Sequence, residues 1–76
     1  MISNQGMESG FRIDLAEYYR SVGKSLELQG FYLKAIEKYK RAIREGYGNS
    51  NFYFDLGKCY LALGREEKAN HYFSRV

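Results

Sequence analysis

The side chains best suited to covalent chemistry in this sequence are Cys59 and His71, its one cysteine and its one histidine. A nucleophilic thiol needs a neighbour that lowers its pKa, whereas Cys59 lies on an apolar helical stripe, where a thiol is normally a small buried hydrophobe. The two residues fall on neighbouring predicted helices, so contact between them stays open at this level. We expect Cys59 to be inert and the protein not to be an enzyme.

Metal and cofactor sites are not expected either. One cysteine and one histidine are too few ligands for a zinc site, and the acidic residues lack the loop spacing of a calcium site. Gly46 and Gly48 do not follow a strand, so this weak glycine pattern does not indicate a nucleotide-binding loop. We therefore predict no cofactor and no metal.

Length and composition limit the size of the fold and the location of the protein. The 76 residues allow one small domain, and 45% hydrophobic with 17% aromatic content favours a packed core. A single cysteine forms no internal disulfide, and the first ten residues contain no apolar run. These features predict a cytoplasmic protein without a membrane partner.

The formal charge of +3 is mild but unevenly distributed. The predicted second helix carries a basic stripe of Lys34, Lys38, Arg41 and Arg44. Such a stripe could meet phosphates, with an affinity that falls steeply with salt. A solvated outer face is the interpretation that we favour, so nucleic acid is the less favoured partner.

Helical spacing of the apolar residues predicts four helices, over about residues 14–28, 31–45, 50–62 and 65–75. Gly30 and Gly64 fall just past the first and third helices, where a helix favours a residue with positive φ. Gly6 and Gly10 weaken any helix near the start, so residues 1–12 are predicted to be a flexible lead-in. The chain is thus predicted to be an all-α domain over residues 13–76, built from tandem antiparallel helix pairs.

A 34-residue repeat connects the two halves of the chain. The matched positions are Tyr19 and Tyr53, Val22 and Leu56, Gly23 and Gly57, Leu26 and Tyr60, Gly30 and Gly64, Ala35 and Ala69, and Tyr39 and Phe73. A repeat of this length is typical of helical solenoids. A glycine inside a helix costs about 1 kcal/mol relative to alanine, so we expect Gly23 and Gly57 to lie where a neighbouring helix approaches closely.

This repeat resembles the tetratricopeptide repeat, whose signature runs W-x-x-L-G-x-x-Y, then A-x-x-x-F, then P. The resemblance covers about residues 14–76, with repeat one at about 14–48 and repeat two at about 49–76. It implies a fragment of an α-solenoid whose first helices line a concave groove and whose second helices face outward. The sequence departs from the signature because it contains no proline.

By this resemblance, a partner-binding groove is formed by residues of the first and third helices. The predicted groove residues are Arg20, Lys24, Leu28, Asn51, Phe54, Asp55, Lys58 and Leu61. Aromatic and arginine side chains are common anchors of interfaces, and a basic rim favours an acidic segment. The predicted function is a protein-interaction scaffold that binds a peptide or helix, and we expect the loss of Arg20, Lys24 and Phe54 to abolish binding without affecting thermal stability.

The alternative is a self-assembling structural module. Two repeats leave an open face at each end of the domain, and a homo-oligomer would bury them. Ile36, Ile43, Tyr72 and Val76 lie on helices that would offer apolar area to a neighbouring copy.

Overall fold

The computed structural model describes the backbone of residues 2–46 and 50–76 and the side chains of residues 15–46 and 51–76. It contains the helices α1 (Ile2–Leu28), α2 (Tyr32–Glu45), α3 (Ser50–Ala62) and α4 (Glu66–Phe73). No strand occurs in these ranges. The all-α prediction is confirmed, and α2 and α3 begin and end close to the predicted residues. The predicted connection around Gly48 lies outside the described residues.

The predicted start of the first helix was wrong. α1 begins at Ile2, so it includes residues 2–12, which were expected to form a flexible lead-in. A glycine lowers helix stability by about 1 kcal/mol without ending a helix, and this sequence has no proline to force a stop. Gly6 and Gly10 are therefore accommodated within α1.

α1 and α3 end in the same type of turn. Gly30 has a φ of 86° and Gly64 a φ of 78°, a conformation that L side chains rarely adopt. In both turns, the N–H of the residue after the glycine donates to the carbonyl four positions before the glycine, at 2.9 Å. This pattern is the Schellman motif, which satisfies carbonyls left unpaired at a helix end. The predicted positive φ at both glycines is confirmed.

Two glycines allow close packing within each helix pair. A Cβ placed on Gly23 would lie 2.7 Å from the ring of Tyr39, and one placed on Gly57 would overlap the ring of Phe73. The same contact therefore recurs after 34 residues, between α1 and α2 and again between α3 and α4. The predicted close approach of a neighbouring helix at both glycines is confirmed, and an aromatic ring fills the space opposite each of them.

The helix pairs are antiparallel. Gly46, which caps the end of α2, faces Ala16 of α1. Tyr39, earlier in α2, faces Gly23, which is later in α1. In the second pair, the Arg75 guanidinium lies 5.5 Å from the ring centroid of Tyr53. Helices α2 and α3 also pack against each other, so the two pairs form one continuous arrangement.

The core consists of two buried clusters. The larger cluster joins α2, α3 and α4 through Ala35, Ile36, Tyr39, Leu56, Cys59, Tyr60 and Ala69. The smaller cluster joins α1, α2 and α3 through Ala16, Ala42 and Phe52. Tyr19 and Tyr53 are half-buried at the edges of these clusters. None of the helices in the described part of the chain has the length and hydropathy of a membrane-spanning segment.

Candidate interaction surface on α1 and α3

A buried carboxylate connects α1 to α3. Asp55 is 1% exposed, and its carboxylate accepts a hydrogen bond of 2.7 Å from Arg20 Nε. Lys24 Nζ lies 3.4 Å from the other carboxylate oxygen. The Arg20 guanidinium also lies 5.6 Å from the ring centroid of Phe52. Two cations thus compensate a charge that would be costly to bury alone.

Glu27 forms a second polar link, which also includes α2. Its carboxylate accepts a hydrogen bond of 2.6 Å from the Tyr39 hydroxyl and lies 3.6 Å from Lys58 Nζ. The pKa of Tyr39 is raised, first by burial and then by this hydrogen bond to Glu27. Tyr39 therefore remains a neutral donor that holds the Glu27 carboxylate in place.

These ion pairs show that α1 and α3 run parallel and side by side. Arg20 and Lys24 pair with Asp55, and Glu27, later in α1, pairs with Lys58, later in α3. The outer side chains of the two helices form the surface that we call the α1–α3 face. It consists of Arg20, Lys24, Leu28, Asn51, Phe54, Lys58 and Leu61.

Among the predicted groove residues, Asp55 is not on this surface. It was expected to face a partner, but its side chain is buried beneath Arg20 and Lys24. Its position between Phe52 and Leu56 on the apolar stripe of α3 is the sequence signal for burial. Asp55 orients two basic groups of the face and is not available for direct contact.

The other predicted groove residues are exposed or partly exposed on the α1–α3 face. Phe54 is 45% exposed, with Lys58 Nζ 5.3 Å from its ring centroid. Its ring also lies 5.7 Å from that of Phe73 in α4. Asn51 is exposed near the start of α3.

A shallow cleft lies at the C-terminal ends of α1 and α3. Its volume is about 520 Å³, and its lining comprises Glu27, Leu28, Tyr32, Lys58, Leu61 and Ala62. Leu28 is 87% exposed and Leu61 is 50% exposed. Three of the predicted groove residues thus meet in one depression. Glu27 and Tyr32 were missed, because their part in the cleft depends on how α2 packs beside α1.

The charges of the α1–α3 face are unequally exposed. The side chains of Asp55 and Glu27 are 1% and 17% exposed, whereas those of Arg20, Lys58 and Lys24 are 25%, 36% and 44% exposed. The carboxylates point into the protein and the cations toward solvent. The surface that a partner would meet is therefore basic.

The buried thiol lies below this surface. Cys59 is fully buried, and burial, with the nearby charges of Glu27 and Asp55, raises its pKa to about 12. Such a thiol stays protonated and is a poor nucleophile at neutral pH. The ring of His71 packs edge-on against Tyr72 in α4. No group of three possible metal ligands occurs among the described residues.

The comparisons with known proteins assign the chain to no family. Comparison of the chain with protein-family models, curated proteins and solved structures finds no match in any of the three.

Proposed function

We propose that this protein is an interaction module of the tetratricopeptide-like class, which binds an acidic peptide or helix along the α1–α3 face. The observation that carries the proposal is the unequal exposure of charge on this face. Lys24 and Lys58 reach solvent while their partners Asp55 and Glu27 stay inside. A basic surface attracts an acidic segment and speeds its encounter at low salt.

The apolar part of the face supplies the second element of recognition. Leu28 and Leu61 are exposed on either side of the cleft, and burying a leucine side chain is worth about 1.5–3 kcal/mol. Phe54 adds an exposed aromatic ring further along α3. The proposed ligand therefore combines acidic residues with a large apolar side chain that enters the cleft.

The ion pairs change which residues are useful as probes. Removing Arg20 would leave Asp55 as a buried carboxylate with one weaker partner, so an Arg20 variant would lose stability as well as any binding. The expectation that Arg20 could be replaced without affecting thermal stability conflicts with this geometry. Leu28 and Leu61, which are exposed, provide cleaner tests.

The proposal is tested with a peptide chosen by display selection on the purified protein. We expect the selected peptides to be rich in Asp and Glu around a large apolar residue. The double variant Leu28→Ser and Leu61→Ser should weaken binding in fluorescence polarisation, whereas Leu33→Ser should not. Leu33 is a matched control because it is 61% exposed on α2, outside the cleft. Equal loss with the control, or selection of basic peptides, would overturn the proposal.

A second candidate function is self-association, which one structural relationship favours. Arg20, Glu27 and Ala42 hold α3 against the first helix pair. After the 34-residue shift, their positions are occupied by Phe54, Leu61 and Val76, which are 45%, 50% and 61% exposed. The second pair thus carries an apolar surface where the first pair binds a helix.

The residues first expected to support self-association are differently placed. Ile36 is buried in the core, and Ile43 and Tyr72 are half-buried, which leaves Val76 as the exposed member. Sedimentation of the full chain distinguishes the two candidates. A concentration-dependent dimer that Val76→Asp abolishes supports self-association, while a monomer at high concentration removes it. We propose a cytoplasmic location for either function, because a free cysteine is typical of a reducing compartment.

A further inference from the structure

Three tyrosine rings form a stacked row on α3 and α4. The rings of Tyr60 and Tyr72 are 5.5 Å apart and nearly parallel, at 2°. Those of Tyr72 and Tyr53 are 6.3 Å apart at 16°. We call Tyr60, Tyr72 and Tyr53 the tyrosine row. Tyr53 and Tyr72 keep part of their surface exposed.

The row borders a cleft of about 240 Å³ on a different surface from the α1–α3 face. Its lining comprises Lys40, Ile43, Arg44, Tyr53, Leu56 and Tyr72, from α2, α3 and α4. No residue of α1 lines it within the described part of the chain. A ligand in this cleft would therefore not compete directly with one at Leu28 and Leu61.

Basic side chains lie at both ends of the tyrosine row. At one end, Lys40 Nζ and Lys68 Nζ lie 6.0 and 5.4 Å from the ring centroid of Tyr60. At the other end, the Arg75 guanidinium lies 5.5 Å from the ring centroid of Tyr53, and Arg44 lines the adjoining cleft. Lys40 and Arg44 come from α2, Lys68 comes from α4, and Arg75 follows the end of α4. Four cations thus lie around one aromatic surface.

These cations differ from the basic residues that form ion pairs in the described part of the chain. Arg20, Lys24, Arg41 and Lys58 each have a carboxylate within 4 Å. Among the described residues, no carboxylate lies that close to Lys40, Arg44, Lys68 or Arg75. Like charges that converge without a counter-ion repel one another, and an anionic ligand relieves that repulsion.

We propose that this basic aromatic cleft binds a single-stranded nucleic acid. Cations at both ends of the row suit a ligand with at least two separated phosphates, whereas a phosphorylated side chain offers one. Proteins that bind single strands combine basic groups along the backbone with aromatic rings that stack on bases. The exposed parts of Tyr53 and Tyr72 supply aromatic surface for the bases. Lys40 with Lys68 supplies one phosphate position, and Arg44 with Arg75 supplies the other.

The test is fluorescence anisotropy of a labelled oligouridylate with the full chain over a salt series. One variant carries Lys40→Gln and Lys68→Gln, a second carries Arg44→Gln and Arg75→Gln, and a matched control carries Lys34→Gln and Lys38→Gln. Each of the three variants loses two positive charges. Because each phosphate contact on a single strand contributes about 0.7 to the salt slope, each cleft variant, which removes one phosphate position, should lower that slope by about 0.7 and weaken binding at least fivefold. The control should change binding less than about twofold.

Three results would overturn the proposal. The first is equal weakening in the cleft variants and the control, which would mean general charge attraction. The second is no binding of the unaltered chain at low salt. The third is tight binding of a phosphotyrosyl peptide without binding of the oligouridylate. Thermal melts of each variant establish that it is folded, and retained oligouridylate binding by the Leu28→Ser and Leu61→Ser variant separates this site from the α1–α3 face.

Discussion

Arg20 in α1 and Asp55 in α3 form a hydrogen-bonded ion pair of 2.7 Å whose carboxylate is almost completely buried. The pair connects α1 with α3, which are far apart in the sequence. It also holds the Arg20 side chain in place on the α1–α3 face, the surface that we propose for binding. One contact therefore serves both the fold and the proposed site.

Removing Arg20 should destabilise the protein. Arg20→Ala leaves the Asp55 charge buried with Lys24 at 3.4 Å as its remaining partner, and breaking a buried pair costs roughly 3 kcal/mol. Lys24→Gln should cost less than about 1 kcal/mol, because Lys24 is more exposed. Urea denaturation measures both. Equal costs for the two variants would show that Arg20 does not hold Asp55.

Filling the space at Gly57 should also destabilise the protein. The side chain of Gly57→Leu would overlap the ring of Phe73, and overpacking costs roughly 1–3 kcal/mol. Adding Phe73→Ala to Gly57→Leu should recover part of that loss, since it vacates the contested volume. A Gly57→Leu variant that melts at the temperature of the parent would contradict the close approach of α3 and α4.

Alkaline pH should weaken the fold through Cys59. The folded pKa is raised from 9.0 to about 12, so the unfolded state loses its proton first as the pH rises. The stabilising effect is complete below about pH 9 and declines toward pH 12, by up to about 1.4 kcal/mol per pH unit. Urea denaturation at pH 8 and pH 10 should show this decline, and Cys59→Ala should have a shallower one. Identical slopes in the two proteins would rule out Cys59 as the cause.

Local sequence rules predicted much of this fold for identifiable reasons. Gly30 and Gly64 follow their helices at the position where a left-handed residue is needed, and both have positive φ. Gly23 and Gly57 are unfavourable inside helices, which indicated the close contacts that the structure contains. In each case, the residue type limits the backbone to few conformations.

Features that depend on several helices at once were harder to predict. The burial of Asp55 depends on two cations from α1, and the bond from Tyr39 to Glu27 depends on the position of α2 beside α1. The tyrosine row likewise forms only after α3 and α4 pack together. The start of α1 was missed because glycines change helix stability by amounts too small to set a boundary alone.

The most direct test of the proposed peptide site is an amide chemical-shift titration of the isotope-labelled chain with a display-selected acidic peptide. We expect the largest shifts at Lys24, Leu28, Lys58 and Leu61, with smaller changes at Tyr53 and Tyr72 on the other cleft. Saturable shifts confined to the α1–α3 face would support peptide binding there. Shifts centred on α2 and α4, or none at peptide concentrations that saturate the polarisation signal, would contradict it.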